Sequence, residues 1–189
     1  MNRFQLILLS TIILICINTA SYSQEYKDTP IRDRMFFGGN FSLQFGSVTF
    51  VEISPSIGYK LTKRLSLAGG PIYMYYKDRR YNPDFSTNIY GTHLYTRFLI
   101  FDASEESLPI NFGGGLFAQA EYEWLSMENK VRFGSGSTGR FDLNNIYVGG
   151  GIQFPLGYRS SVFILFLYNL NQSPYSLNSN PIIRFGFNF

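Results

Sequence analysis

From Phe37 to the final residue, the sequence returns again and again to apolar side chains at every second position. The strongest run, from Ile110, puts Ile110, Phe112, Gly114, Leu116, Ala118, Ala120, Tyr122 and Trp124 on one parity. Asn111, Gly113, Gly115, Phe117, Gln119, Glu121 and Glu123 occupy the other. Side chains two apart on a strand share a face, so the run reads as a strand with one greasy face and one mostly polar or small.

Similar runs recur along the chain. Phe37, Gly39, Phe41, Leu43 and Phe45 alternate with Gly38, Asn40, Ser42, Gln44 and Gly46. Val51, Ile53, Pro55, Ile57, Tyr59 and Leu61 alternate with Glu52, Ser54, Ser56, Gly58 and Lys60. A third strand returns through RLSLAGGPIYMYY, and a fourth, Ile89 to Phe101, sets Leu94, Phe98 and Ile100 against His93, Tyr95 and Arg97. A sixth sets Ile146, Val148, Ile152 and Phe154 against Asn145, Tyr147 and Gln153. Ser161 to Asn169 is apolar on both parities and is the weakest strand signal, while Pro181 to Phe189 closes the set. That makes about eight strands, the smallest size of bacterial outer-membrane barrels. Short links are expected at Thr62–Arg64, Asp102–Pro109 and Gly157–Ser160, with longer polar ones at Lys77–Asn88, Ser126–Asp142 and Asn171–Asn180. The link near Gly46–Thr49 reads as a tight hairpin.

The N-terminus supplies a second constraint. Arg3, an apolar run from Phe4 to Ile17, and small residues Ser21 and Ser23 read as a secretory signal peptide cut before Gln24. The expected division is signal peptide 1–23, a periplasmic segment 24–34 and a barrel domain 35–189. Cys16, the single cysteine, falls inside the signal and follows Ile15 rather than a small residue, so lipidation is not expected and the mature chain has no thiol. An exported domain without disulfides needs another source of stability. Aromatic residues make up 18% of the chain and charged ones only 15%; the aromatic share is roughly twice that of an ordinary soluble domain. The formal charge of +3 is too small to argue for nucleic acid as a partner. After the signal no apolar run reaches the length of a spanning helix. Lipid leaves no backbone group unsatisfied, so a spanning chain of this kind must close into a barrel.

The competing soluble fold, a sandwich or lipocalin-like barrel, turns the same apolar parity inward. It would then expose Glu52, Lys60, Arg97, Glu121, Glu123 and Arg184 together on the other face. The expected fold is therefore all-β, a transmembrane antiparallel up-and-down barrel. Tyr73, Tyr75, Tyr90, Tyr122 and Trp124 fall near one rim, and Phe154, Tyr158 and Phe189 near the other, as aromatic girdles do.

The terminal PIIRFGFNF, with Ile183, Phe185, Phe187 and Phe189 at alternate positions, resembles the C-terminal assembly signal of bacterial outer-membrane proteins. The stretch ISPSIGYKLTKRLSLAGG is similar to small outer-membrane β-barrel domain proteins common in Bacteroidetes, and the likeness covers nearly the whole mature chain. It implies localisation in the bacterial outer membrane, contact with its lipid and lipopolysaccharide, and a barrel-assembly machinery as partner. It specifies architecture well and activity hardly at all.

An eight-stranded barrel has an interior just wide enough for side chains. Glu52, Lys60, His93, Arg97, Glu121, Glu123 and Arg184 share the inward parity and are the candidates for a mutually neutralising network that plugs it. A narrow channel for small solutes is the alternative. A lipid A-modifying enzyme is a weaker one, because His93 is the single histidine and its neighbours on the same parity are Gly91 and Tyr95, with no serine in a nucleophile–base arrangement. The glycine runs at 113–115 and 149–151 precede no helix and fit barrel curvature rather than phosphate binding. No cofactor or metal is expected, and the protein is expected to be a monomer. Candidate binding groups in the outer loops are Lys77, Arg79, Arg80, Arg132 and Arg140, suited to lipopolysaccharide phosphates.

Overall fold

The computed structural model describes residues 30–44, 48–79, 85–102, 113–129, 138–157, 159–173, 176 and 180–189. The signal peptide expected at 1–23 lies outside the described residues, as do Arg80, Arg132 and Tyr158. One helical turn, α1 (Ile31–Arg34), leads into eight strands. They are β1 (Met35–Gln44), β2 (Val48–Lys60), β3 (Leu65–Asp78), β4 (Phe85–Asp102), β5 (Gly115–Glu128), β6 (Arg140–Pro155), β7 (Ser161–Asn169) and β8 (Ile182–Asn188). Each pairs antiparallel with the next, and β1 pairs with β8, so the sheet is a closed up-and-down barrel. The seam runs from Gly38 opposite Asn188 to Phe41 opposite Phe185. Phe37 and Phe189 extend it by exchanging backbone hydrogen bonds of 3.2 and 2.7 Å.

Closure sorts the side chains by parity, with the apolar parity facing out. Phe37, Phe41, Ile53, Ile57, Leu94, Phe166 and Phe185 are exposed on the outer wall, while Asn40, Glu52, Ser54, His93, Gln119, Glu121 and Arg184 are buried inside. The lipocalin-like arrangement is thereby excluded. Tyr73, Tyr90, Tyr122 and Trp124 are also outward and exposed. Tyr73 donates to Asn88 Oδ1 at 2.9 Å and Tyr122 to Asn144 Oδ1 at 2.7 Å, so each hydroxyl is held toward the loop end.

Several strands run further than periodicity alone suggests. β4 begins at Phe85 rather than Ile89, and β6 at Arg140 rather than Asn145. Most of the expected Asp102–Pro109 link, and Ile110–Phe112 of the expected fifth strand, lie outside the described residues; β4 ends at Asp102 and β5 is described from Gly115. β7 is apolar on both parities because its inward residues Phe163, Leu165 and Leu167 pack on Phe117, Tyr147 and Ile182.

Two glycines make room for interior rings. Phe36 lies over its cross-strand partner Gly58, and Phe163 over Gly186. A Cβ on Gly186 would overlap the Phe163 ring and stand 2.6 Å from the Gly39 carbonyl oxygen of the seam strand. Gly186→Ala is therefore expected to lower stability by about 1–3 kcal/mol, measured by denaturant titration of the refolded barrel. An unchanged midpoint would show that the seam can yield.

Candidate functional site

The barrel interior is stratified. Midway, four strands send ionisable groups to one point: Glu52 from β2, His93 from β4, Glu121 and Glu123 from β5, and Arg184 from β8, each at most 2% exposed. Arg184 spans the lumen. Its Nη1 donates to Glu121 Oε1 at 2.6 Å and its Nη2 to Glu123 Oε2 at 2.9 Å, and its Nε stands 3.4 Å from Glu52 Oε1. Its guanidinium also lies 5.3 Å from the centre of the Tyr147 ring. Tyr147 and Asn145 both donate to Glu123 Oε1 at 2.9 Å, and Gln119 donates to Glu121 Oε2 at 2.9 Å. His93 Nδ1 is 3.4 Å from Glu121 Oε1. Glu52 is the least engaged carboxylate: its Oε2 has no hydrogen-bond partner among the described residues.

The remaining inward cations sit elsewhere. Arg97 lies nearer the end that carries the chain termini, donating through Nε and Nη2 to Gln119 Oε1 at 3.0 and 2.8 Å. Its guanidinium is held 4.2 Å from the Phe117 ring centre and 4.1 Å from that of Phe163. It reaches the carboxylates through Gln119. Lys60, the last residue of β2, is exposed at the rim.

Toward the loop end the interior turns apolar. Phe50, Ile72, Met74, Ile89, Leu125, Met127 and Leu143 form a buried cluster there, backed by Tyr76 and Phe141. The sequence reading of a polar lumen missed this layer, although the signal was present in strand three, where Ile72 and Met74 share a parity with Ala68. Beside the plug a polar column continues: Asn169 donates to Asn145 Oδ1 at 3.0 Å, and Asn180 accepts from the Asn169 backbone at 2.7 Å.

Of the loop candidates, Lys77 and Arg140 lie on strands, opposite Ser86 and Glu128. Arg140 donates to Ser126 Oγ at 3.0 Å and to the Asn88 carbonyl at 3.2 Å, and its guanidinium lies 5.3 Å from the Tyr90 ring centre. Arg79 is exposed in the turn after β3. Ile183, Phe185, Phe187 and Phe189 all face outward and are exposed.

Among the described residues no group of three or more His, Cys, Asp or Glu is arranged to hold a metal ion, and no helix is long and apolar enough to cross a membrane. Comparison with solved structures finds a likeness to the N-terminal β-barrel domain of Pseudomonas aeruginosa OprF, at 17% identity and a TM-score of 0.45, covering 82% of this chain and 94% of that one. No family model and no curated protein matches the chain.

Removing Arg184 leaves three buried carboxylates facing one another. Arg184→Met is expected to cost about 3–5 kcal/mol, whereas Glu52→Gln removes a like charge and is expected to cost less than about 1 kcal/mol. Denaturant midpoints of the two refolded variants decide it; equal losses would mean that Arg184 acts by packing and not by charge.

Proposed function

We propose that the protein is an integral outer-membrane barrel with a closed lumen, serving as a scaffold or as a surface-binding module through its loops. One observation carries this reading: the barrel is inside-out, with a belt of exposed Phe, Ile and Leu around an interior of buried Glu, His and Arg. Water would not tolerate that belt on a stable soluble monomer, whereas lipid favours it. Strands of 9 to 18 residues in β1 to β7 are long enough to cross at a tilt. The apolar N-terminus read as a signal peptide supports export, and the sequence likeness to Bacteroidetes barrels belongs to the same proposal. On this reading the outward Ile183, Phe185, Phe187 and Phe189 are presented to the assembly machinery, the chain ends lie in the periplasm, and the mature protein is a non-catalytic monomer. Arg79, Arg80 and Arg132 would then be offered to lipopolysaccharide phosphates.

The polar column from Arg97 through Gln119, Glu121, Arg184, Glu123, Asn145 and Asn169 favours a second reading, a narrow conducting path. The apolar plug opposes it, because an ion would have to leave water and pass a dry, hydrocarbon-lined constriction beside that column.

Two measurements test the proposal. The mature chain is expected to fold with detergent or lipid and not without, and Leu94→Arg on the outer wall is expected to cost about 2–4 kcal/mol in a bilayer. A soluble, monomeric wild-type chain would sink the membrane assignment. In planar bilayers the inserted protein is expected to be silent. Discrete conductance steps that change with Glu121→Gln would replace the closed scaffold with the channel.

A further inference from the structure

The wall between β2 and β3 is interrupted at mid-height. Ile53 stands opposite Tyr73 and Ile57 opposite Gly69, so the register is continuous and sets Pro55 against Pro71. Between those two pairs the ladder is absent, for a chemical reason: neither proline has an N–H, so neither can donate to the carbonyl that faces it. Proline inside a sheet is ordinarily confined to edges and bulges. A closed barrel has no edge, and here two prolines face each other although the far side of each is paired, Pro55 to Gly39 and Pro71 to Thr92. Two backbone carbonyls thereby lose their ladder donors in the middle of the apolar belt, where nothing outside can replace them. A sheet rule broken at such a cost is the kind of local exception that marks a functional place in a fold.

Both sides of the interruption are lined by small groups. Outside, the exposed rings of Pro55 and Pro71 lie between Gly39 and Thr92. Inside are the buried Ser54 and Ser56 of β2, and on β3 Gly70, which has no side chain and stands opposite His93 of β4. His93 Nε2 and Glu52 Oε2 are both buried without a hydrogen-bond partner among the described residues. Glu121 accepts from Arg184, and a carboxylate can only accept, so the proton of its 3.4 Å contact with His93 sits on Nδ1. Nε2 of the neutral ring is then an acceptor, as Glu52 Oε2 is.

We infer that β2 and β3 part at Pro55–Pro71 and admit a small, uncharged hydrogen-bond donor, such as an alcohol or amide, from the bilayer to the Glu52–His93 side of the central cluster. Parting the strands there breaks no ladder hydrogen bond, so the opening is among the least costly the wall can make. The intact pairs on either side bound it to about 13 Å along the strands, which keeps the guest small. The approach past Ile53, Ile57 and Leu94 is apolar, so a charged guest would first have to enter hydrocarbon. The groups left waiting are acceptors, so the guest must donate. The source of the guest rests on the outer-membrane reading; the opening itself needs only the closed barrel.

The experiment places the full mature chain in phosphatidylcholine vesicles, checks insertion by flotation, and follows acylation of His93 by diethyl pyrocarbonate, a small uncharged reagent, with peptide mass spectrometry. His93 is the single histidine, so its label is unambiguous. Steady labelling of the wild type is expected. Pro55→Val with Pro71→Val supplies both missing donors and keeps the outer wall apolar, and it is expected to slow labelling roughly tenfold or more. The wild type alone gives a second measurement: backbone deuterium exchange at Ile57 and Tyr73, which border the interruption, is expected to be faster than at Leu94 and Tyr122, which pair on the β4–β5 wall. 1-Hexanol in the bilayer is expected to slow labelling, and hexane to leave it unchanged. An inserted wild type that does not label, or labels at the same rate as the valine variant, would overturn the opening. Exchange at Ile57 and Tyr73 as slow as at Leu94 and Tyr122 would overturn it too. Equal effects of hexanol and hexane would overturn the donor as its guest. A wild type that does not float with the vesicles, yet in detergent labels faster than the valine variant, would overturn the outer-membrane reading and support the opening.

Discussion

The rest of the structure depends on the β1–β8 seam. An open sheet of eight strands would leave two edges of unpaired backbone groups and no inside. Closure turns the period-two pattern into an inner and an outer wall, and only then does parity have an energetic meaning. The same step delivers Arg184, because β8 carries it. Its carboxylate partners stand on β2 and β5, across the lumen, and Glu121 and Glu123 come together on one strand whether or not β8 has docked. Backbone pairing at Phe37–Phe189 and charge pairing at Arg184 are therefore two parts of one event. Each makes the other more favourable: the seam fixes where the guanidinium points, and the guanidinium removes the repulsion that closing the lumen would otherwise impose.

The architecture was legible because the outer wall needs apolar groups at strict alternation across the height of a belt. Glu52, His93, Glu121, Glu123 and Arg184 could be placed inside on parity alone. Where two strands meet above the belt, the outer face no longer has to be apolar, and the pattern fades while hydrogen bonding continues. That is why Phe85–Asn88 and Arg140–Asp142 read as loop and are ladder. β7, a strand over Ser161–Asn169 as expected, gives a weak signal for the opposite reason: both of its faces are apolar, since the rings of Phe117 and Tyr147 pack against its inward side.

Parity also says nothing about height or partner. It put Arg97 and Lys60 in one set with the carboxylates, yet the structure places Arg97 against Gln119 and two phenyl rings and Lys60 at the rim. Gln119, Asn145, Tyr147 and Asn169 complete the polar column, and each lies on the inward parity of its own strand. Their role depends on cross-strand register, which a single sequence with uncertain loop lengths does not determine. The register of β5 on β6, with Glu121 opposite Tyr147 and Glu123 opposite Asn145, is what turns two neutral side chains into the donors that hold Glu123.

The layers give the barrel two unlike ends. At the loop end Phe50, Ile72, Met74 and Leu125 exclude water, so a charge arriving there meets hydrocarbon. At the other end Arg97 presents a buried guanidinium to a cavity whose rim is basic. Between them the connections are short: Gln119 accepts from Arg97 and donates to Glu121, which also accepts from Arg184. Any shift of Arg97 toward the cavity would weaken its hold on Gln119, and Gln119 in turn positions one oxygen of Glu121. Changes at that rim can thus reach the centre through two hydrogen bonds, and on the loop side, beside the apolar plug, a chain of amides runs from Asn180 through Asn169 and Asn145 to Glu123. The asymmetry follows from which inward positions carry charge on β4 and β5: a guanidinium starts the route at the terminal end, and neutral amides carry it at the loop end.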